Sequence, residues 1–217
     1  MRYFKNRTQA GQHLAAQLGK YTDQNCAVLA LSEGGIMVGA EIAKKIHASL
    51  LLLTIEDIVL PLELIPIASM SDAGTFTYNH SLSNADLEEI TTEMRPIIDQ
   101  SRLETFQHLN RIVSKDGELD KRLLKNHTVI IVSDGFNSGI SLDVTADFLK
   151  PIKTRRIVVA TPVCNTDILD KVHLLADDIY CINVVEPGFP IEHYYDDKTL
   201  PSHEEVVALM RDISLKW

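Results

Sequence analysis

The stretch TVIIVSDGFNSGIS, Thr128–Ser141, decides the predicted fold. Its first five residues are all β-branched and four of them are apolar, which predicts a strand buried on both faces. Two glycines, Gly135 and Gly139, then lead into a helical pattern that runs to about Leu149. A buried strand followed by a glycine-bearing turn and a helix is the unit from which helix-covered parallel sheets are built.

The same order occurs earlier in the chain. Ala27–Leu31 (AVLAL) predicts a buried strand, Ser32–Gly35 (SEGG) predicts a turn, and a helical pattern follows to Ile46. Leu50–Ile55 predicts one further strand. We therefore predict an α/β protein with a mostly parallel twisted sheet flanked by helices.

The remaining elements follow from local patterns. Two apolar runs flanking Ser71–Gly74 predict a hairpin, and Pro96 should kink or break the polar helical stretch from Ser83 to about Lys115. The last helix should begin with a capping box, Ser202 to Glu205. We expect a single domain, 1–217, with a core at about 20–60 and 125–185, an insert at about 61–124 and a hood from 1–15 and 185–217.

Composition narrows the class of protein. With 217 residues, 45% hydrophobic and 24% charged, the chain is long and apolar enough to bury a sizeable core. The net charge of −9 gives no general attraction for nucleic acid or anionic lipid, so neither is an expected partner. Three cysteines without CxxC spacing and the lack of a long apolar stretch predict a cytoplasmic location. The histidine spacings predict no zinc site.

The turn after Thr128–Val132 has the composition of a ligand-binding loop. Ligands of parallel sheets bind beyond the carboxyl ends of the strands. The amides around Ser138–Ser141 would be unpaired donors of a first helical turn and suit a phosphate, while Asp134 suits sugar hydroxyls. The alternative is a helix cap and connecting turn with no ligand. The sequence has no GxxxxGK[ST], GxGxxG or GxSxG motif, which weakens nucleoside triphosphate, dinucleotide and serine hydrolase interpretations.

The motif VIIVSDGFNSGIS, together with LALSEGGIMVGAEIA and the end segments FKNRTQAGQHLAAQL and HYYDDKTLPSHEEVVALM, resembles the type I phosphoribosyltransferases. The likeness is to a bacterial branch of uncharacterised phosphoribosyltransferase-domain proteins. It implies a parallel sheet with a hairpin and long-helix insert and a small hood. It also implies a small-molecule phosphoribosyl ligand, a possible homodimer, and Mg²⁺ if the protein is catalytically active.

The resemblance implies a role for each matching residue. Asp134 and Asn137 match catalytic positions, although an asparagine cannot accept a proton at neutral pH. Ser133 and Asp134 match the ribose-binding acids. The remaining roles are a phosphate cradle of Asn137, Ser138, Gly139, Ile140 and Ser141, and a pyrophosphate loop of Ser32, Glu33, Gly34 and Gly35.

Three departures from the family pattern concern charge. Ser133 replaces the first acid, Glu33 replaces an arginine, and Glu56-Asp57 replace a basic pair. Departing pyrophosphate needs basic groups or Mg²⁺ around it, and these changes reverse that charge. Pyrophosphate could still bind in two cases. The acidic side chains recruit Mg²⁺ or point away from the ligand, or arginines of the insert supply the missing positive charge (Arg95, Arg102 and Arg111).

Two functions therefore remain open from the sequence. The first is a protein that binds phosphoribosyl pyrophosphate or a related sugar phosphate or nucleotide and transfers the phosphoribosyl group to a nitrogenous base. The second is a non-catalytic sensor or protein-interaction module with the same fold. An unrelated α/β protein with a capped turn at 138–141 is a third interpretation.

Overall fold

The computed structural model describes residues 3–61, 63, 65–113 and 119–214. The chain divides into two compact units. The first, which we call the sheet unit, consists of Met1–Leu52, Asp120–Ser138 and Ile152–Trp217; the second, the hairpin unit, consists of Leu53–Leu119 and Gly139–Pro151. The expected end of the polar helical stretch at Lys115 lies outside the described residues.

The described elements are as follows. The strands are β1 (Cys26–Ala30), β2 (Ser49–Leu52), β3 (Ile55–Ile58), β4 (Ala68–Ser71), β5 (Phe76–Tyr78), β6 (Thr128–Val132), β7 (Arg156–Asn165) and β8 (Asp178–Val185). The helices are α1 (Arg7–Gln17), α2 (Glu33–Ile46), α3 (Asn84–Glu93), α4 (Arg95–Val113), α5 (Ile140–Leu149), α6 (Leu169–Leu175) and α7 (His203–Ser214). Across the described parts of the chain, no helix combines the length and apolarity needed to cross a membrane.

The sheet unit contains a five-stranded sheet in the order β2-β1-β6-β7-β8, and every neighbouring pair is parallel. β1 and β6 are buried at all five positions, as their continuous apolar sequences predict. Helices α1, α2, α6 and α7 pack against strands of this sheet. The predicted mostly parallel, helix-flanked α/β architecture is confirmed.

The predicted strand Leu50–Ile55 is wrong in its extent. The structure has two strands there, β2 in the five-stranded sheet and β3 in the hairpin unit. Between them Leu53 is fully buried, and the main-chain N–H of Thr54 donates to a carboxylate oxygen of Asp72 at 3.1 Å. Because the apolar run continues through this change of sheet, hydrophobicity alone gave no sign of it.

The hairpin unit is built on an antiparallel sheet in the order β3-β4-β5. The predicted hairpin at Ser71–Gly74 is confirmed, with Gly74 at a φ of 80° that suits glycine. Helices α3 and α4 are separated at Met94, two residues before Pro96, so the predicted interruption of the helical stretch is confirmed. Ile98 and Leu109 of α4 are buried in the apolar cluster of this unit.

Glu56 and Asp57, which stand where the family pattern has a basic pair, contact other residues of the hairpin unit. A side-chain oxygen of Glu56 lies 2.7 Å from Nδ1 of His108, and Asp57 accepts a hydrogen bond from the hydroxyl of Ser69. The guanidinium of Arg102 lies over the ring of Phe76, 4.6 Å from its centroid.

Close helix packing in the sheet unit depends on Gly11. A Cβ at this position of α1 would lie 2.6 Å from the main-chain oxygen of Val38 in α2, so any larger residue must push the two helices apart. Gly39 fits α2 against the sheet in a similar way, facing the side chains of Val28 and Leu50. The α1–α2 contact matters for the site because α1 begins at Arg7 and α2 begins beside the first glycine-bearing turn.

We predict that Gly11→Ala lowers the free energy of unfolding by roughly 1–3 kcal/mol, the usual cost of overpacking a tight contact. Urea denaturation measures the change. The matched control is Gly19→Ala, because a Cβ on Gly19 would meet no atom within 4 Å. Equal stability of the two variants would contradict the close α1–α2 packing.

Candidate functional site

The candidate site lies where the central strands β1 and β6 end. These strands are parallel, and Ala30 is the register partner of Val132. The chain continues from β1 into Ser32–Gly35 and from β6 into Ser133–Ser138. Because the carboxyl ends of parallel strands lie at one edge of a sheet, the two predicted loops are neighbours within the sheet unit.

The side chain of Asp134 connects the two loops. Its Oδ1 accepts a hydrogen bond from the hydroxyl of Ser32 at 3.1 Å, and its Oδ2 accepts one from Nε of Arg7 at 2.7 Å. The same Ser32 oxygen accepts the main-chain N–H of Gly35 at 2.9 Å and so caps α2. The predicted ribose-binding acid and the predicted pyrophosphate loop therefore share one hydrogen-bond network.

Arg7 is the buried cation of this site, with only 2% of its side chain exposed. Its guanidinium carbon lies 4.8 Å from the ring centroid of Tyr195, and its Nη1 donates to the main-chain oxygen of Thr199 at 3.4 Å. Nη2 is buried and has no hydrogen-bond partner among the described residues. Such an ion pair is costly to break, because removing one partner leaves the other charge buried and uncompensated.

Gly34 makes the close approach of these groups possible. A Cβ on Gly34 would overlap the carboxylate of Asp134 and would lie 2.7 Å from Nε of Arg7. Only a glycine therefore leaves room for the ion pair beside the first turn of α2. Gly135 plays a comparable role in the second loop, since a Cβ there would collide with the side chain of Ile191.

Tyr195 joins the carboxyl-terminal segment to the loop after β6. Its hydroxyl donates a 2.6 Å hydrogen bond to the main-chain oxygen of Asp134. Burial raises the pKa of Tyr195 far above its usual value, and the negative charge of Asp134 raises it further. The phenol therefore stays neutral and keeps donating throughout the physiological pH range.

The two predicted ribose-binding residues differ in availability. The side chain of Asp134 is 14% exposed, so its carboxylate reaches the surface of the sheet unit. Ser133 is buried, and its hydroxyl donates to the main-chain oxygen of Gly135 at 2.9 Å within its own turn. The hydroxyl of Ser133 thus stabilises the turn of its own loop.

The predicted phosphate cradle spans the start of α5. Asn137 and Ser138 are exposed, Gly139 and Ile140 are buried, and Ser141 is half-buried. Gly139 occupies the N-cap position and has no side chain to cap the helix, so the first-turn amides of α5 receive no side-chain acceptor at that position. The main-chain oxygen of Asn137 accepts a hydrogen bond from Nδ2 of Asn165 at 3.3 Å, which fixes the loop at this point.

The predicted pyrophosphate loop contains no basic residue. Ser32 is its N-cap, and Glu33 lies partly exposed in the first turn of α2, where a carboxylate interacts favourably with the helix dipole. Gly35 is buried, and a Cβ there would lie 3.0 Å from the main-chain oxygen of Val132. In the described parts of the chain, no three histidine, cysteine or acidic side chains come together as a metal site.

Sequence reasoning missed Arg7 and Tyr195 as site residues. They lie 127 and 61 residues from Asp134, so no local spacing connects them with it. The only available signal was their position in the two end segments, FKNRTQAGQHLAAQL and HYYDDKTLPSHEEVVALM, that carry part of the family resemblance.

A family model and two curated relatives match this chain over nearly its whole length. The family model "Phosphoribosyl transferase domain" matches residues 3–198. The chain is 25% identical over 218 residues to the protein named "Putative phosphoribosyl transferase MT0597" from Mycobacterium tuberculosis (strain CDC 1551 / Oshkosh), covering 97% of this chain and 47% of that protein. A counterpart from strain H37Rv gives the same values. The chain thus spans about half the length of the curated relatives that it matches.

Among solved structures, the crystal structure of TT1426 from Thermus thermophilus superposes with a TM-score of 0.74. The two chains are 20% identical, and the match covers 98% of this chain and 99% of the other. At this level of identity the likeness shows a shared fold.

We predict that Arg7→Met lowers the free energy of unfolding by roughly 3 kcal/mol, because the part-buried carboxylate of Asp134 loses its counter-charge. Adding Asp134→Asn to Arg7→Met should cost less than the sum of the single changes, since the two side chains are coupled by about 0.5–3 kcal/mol. Urea unfolding of the four proteins measures this cycle. Lys5→Met removes an exposed cation nearby and should have little effect. Additive costs would contradict the ion pair.

Proposed function

Because the chain belongs to the phosphoribosyl transferase domain family, we propose that it binds phosphoribosyl pyrophosphate or a related sugar phosphate or nucleotide. One observation carries this proposal. The carboxylate of Asp134 is held at the carboxyl end of β6, three residues before the exposed turn at Asn137, and is partly exposed. A fixed acceptor for sugar hydroxyls followed directly by a helix start that suits a phosphate is the arrangement such a ligand requires.

In this proposal the 5-phosphate binds to the segment from Asn137 to Ser141. The main-chain amides at the start of α5 donate to its oxygens, and the hydroxyls of Ser138 and Ser141 add to them. Asp134 accepts hydrogen bonds from the ribose hydroxyls. The loop Ser32–Gly35 faces the pyrophosphate, as the resemblance implies.

For the reaction, we propose transfer of the phosphoribosyl group to a nitrogenous base. A C–N bond forms at the anomeric carbon of ribose, the C–O bond to pyrophosphate breaks, pyrophosphate leaves with the electron pair, and the proton of the attacking nitrogen passes to the pyrophosphate or to solvent. Asp134 would stabilise positive charge that develops on the sugar. Asn137 cannot accept a proton, so its carboxamide is assigned hydrogen bonding to the base.

Magnesium is expected with the pyrophosphate. The described residues do not form a cage that would hold the ion by themselves, and Asp134 is already paired with Arg7. Because Mg²⁺ commonly binds through substrate phosphates, we propose that it arrives with the ligand. We further propose that the protein acts in the cytoplasm, as a homodimer, on a small molecule and without nucleic acid.

A second candidate function is a non-catalytic sensor or protein-interaction module. The specific observation in its favour is the charge at the loops: Glu33 brings a carboxylate where pyrophosphate would bind, and the buried Ser133 offers no second acid to the sugar. Such a protein would keep the phosphate segment and Asp134 but would not favour the departure of pyrophosphate.

We predict that Ser138→Asp lowers the affinity for ribose 5-phosphate by tenfold or more, because a carboxylate beside the phosphate repels it. Two like charges ~5 Å apart at an effective dielectric of ~20 interact by roughly 3 kcal/mol before screening, and tenfold corresponds to about 1.4 kcal/mol. Isothermal titration calorimetry measures the affinity. The control is Ser81→Asp, which adds the same charge at another exposed serine. Equal binding by both variants would remove the phosphate site from this segment.

We predict that Glu33→Arg raises the affinity for phosphoribosyl pyrophosphate at least tenfold, while ribose 5-phosphate binding changes much less, because only the pyrophosphate lies near residue 33. Titrations are run with and without Mg²⁺, beside an assay for pyrophosphate release with nucleobases. Glu88→Arg, an exposed acid of α3, is the matched control. Turnover by the native protein would refute the sensor-only alternative; an unchanged ligand preference in Glu33→Arg would contradict the assignment of the pyrophosphate loop.

A further inference from the structure

The side chain of Asp134 uses only half of its capacity to accept hydrogen bonds. An ionised carboxylate has about four lone-pair sites, two on each oxygen. Arg7 Nε occupies one site on Oδ2, and the Ser32 hydroxyl occupies one on Oδ1. Among the residues that the structure describes, each oxygen therefore keeps one free acceptor site, and the side chain is 14% exposed. Two adjacent acceptors on one rigid carboxylate match two adjacent hydroxyl donors.

Both donors that define this pattern are themselves fixed. Arg7 is buried against the ring of Tyr195 and donates through Nη1 to Thr199. Ser32 is the N-cap of α2 and accepts the N–H of Gly35, so its hydroxyl hydrogen is directed at Asp134. The carboxylate is consequently held from two sides by groups that belong to α1 and α2.

We propose that Arg7 and Ser32 are positioning residues, which fix the orientation in which the Asp134 carboxylate meets the ribose hydroxyls that the proposed function assigns to it. The inference rests on the proposed function and adds to it the two residues that hold the sugar-binding carboxylate in place. A ligand lacking the 2-hydroxyl leaves one oxygen of the part-buried carboxylate short of a donor, so the site favours ribose 5-phosphate over 2-deoxyribose 5-phosphate.

Arg7 also fits this role by charge. A free carboxylate would repel an incoming phosphorylated sugar, and the guanidinium, 2.7 Å from Asp134, offsets that repulsion. A lysine would keep the charge but not the geometry. Its ammonium is a point donor on a flexible stem, whereas Nε of Arg7 donates from the edge of a plane held 4.8 Å from the Tyr195 ring centroid.

The test compares ribose 5-phosphate with 2-deoxyribose 5-phosphate by calorimetry, and the readout is the ratio of the two dissociation constants. The native protein should favour the ribose compound about tenfold or more, the loss expected for one hydrogen bond to a charged group. Arg7→Lys and Ser32→Gly should each bring the ratio to less than threefold. Ser32→Gly is chosen because glycine is nearly as good an N-cap as serine, so α2 keeps its start.

Lys5→Met is the matched control and should keep the native ratio, since Lys5 is an exposed cation two residues from Arg7. Circular dichroism and urea unfolding establish that each variant is folded. If Arg7→Lys does not fold, Ser32→Gly still tests the positioning role.

The possible outcomes distinguish a failure of this inference from a failure of the proposed function. No binding of either sugar phosphate, and none of phosphoribosyl pyrophosphate with Mg²⁺, by the native protein refutes the proposed function and this inference with it. Native preference that persists in folded variants refutes the positioning role alone, and equal native binding of the two sugars refutes the diol assignment.

Discussion

The candidate site depends on one buried ion pair, between the Arg7 guanidinium and the Asp134 carboxylate, 2.7 Å apart. It connects the first residue of α1 to the loop after β6, which are 127 residues apart in the sequence. A buried pair of this kind stabilises a fold only when its remaining polar atoms are also satisfied. Here the hydroxyl of Ser32, the ring of Tyr195 and the main-chain oxygen of Thr199 provide much of that support.

Several other features of the sheet unit follow from this constraint. Gly34 must lack a side chain because the ion pair occupies the space beside it. Gly11 must lack one because α1 has to lie close to α2. Tyr195 must stay protonated to donate to the main-chain oxygen of Asp134, and its burial ensures that its pKa is raised. Residues that look like ordinary packing and turn positions, such as Gly11, Gly34 and Tyr195, are therefore needed to accommodate the ion pair.

The ion pair also changes how the unusual charges of the loops are interpreted. From the sequence, Glu33 and Ser133 suggest a family motif with its charges reversed or lost. The structure adds a cation, Arg7, that neutralises the one acid retained from the motif. Under the proposed function, the anionic sugar binds at Asp134 beside a loop whose Glu33 does not favour pyrophosphate. Binding and catalysis therefore make different demands on the residues of these loops.

The sequence by itself determined the elements whose cause is local. Five β-branched residues in succession give β6, Pro96 separates α3 from α4, and Ser202 with Glu205 caps α7, because each effect acts within a few residues. It also indicated both loops of the site, since glycines and small polar residues mark strand-to-helix turns. Only the tertiary structure decided that the apolar run at 50–55 belongs to two sheets, and that Arg7 and Tyr195 meet at Asp134. Those outcomes depend on contacts between residues far apart in the chain, which no local period or spacing encodes.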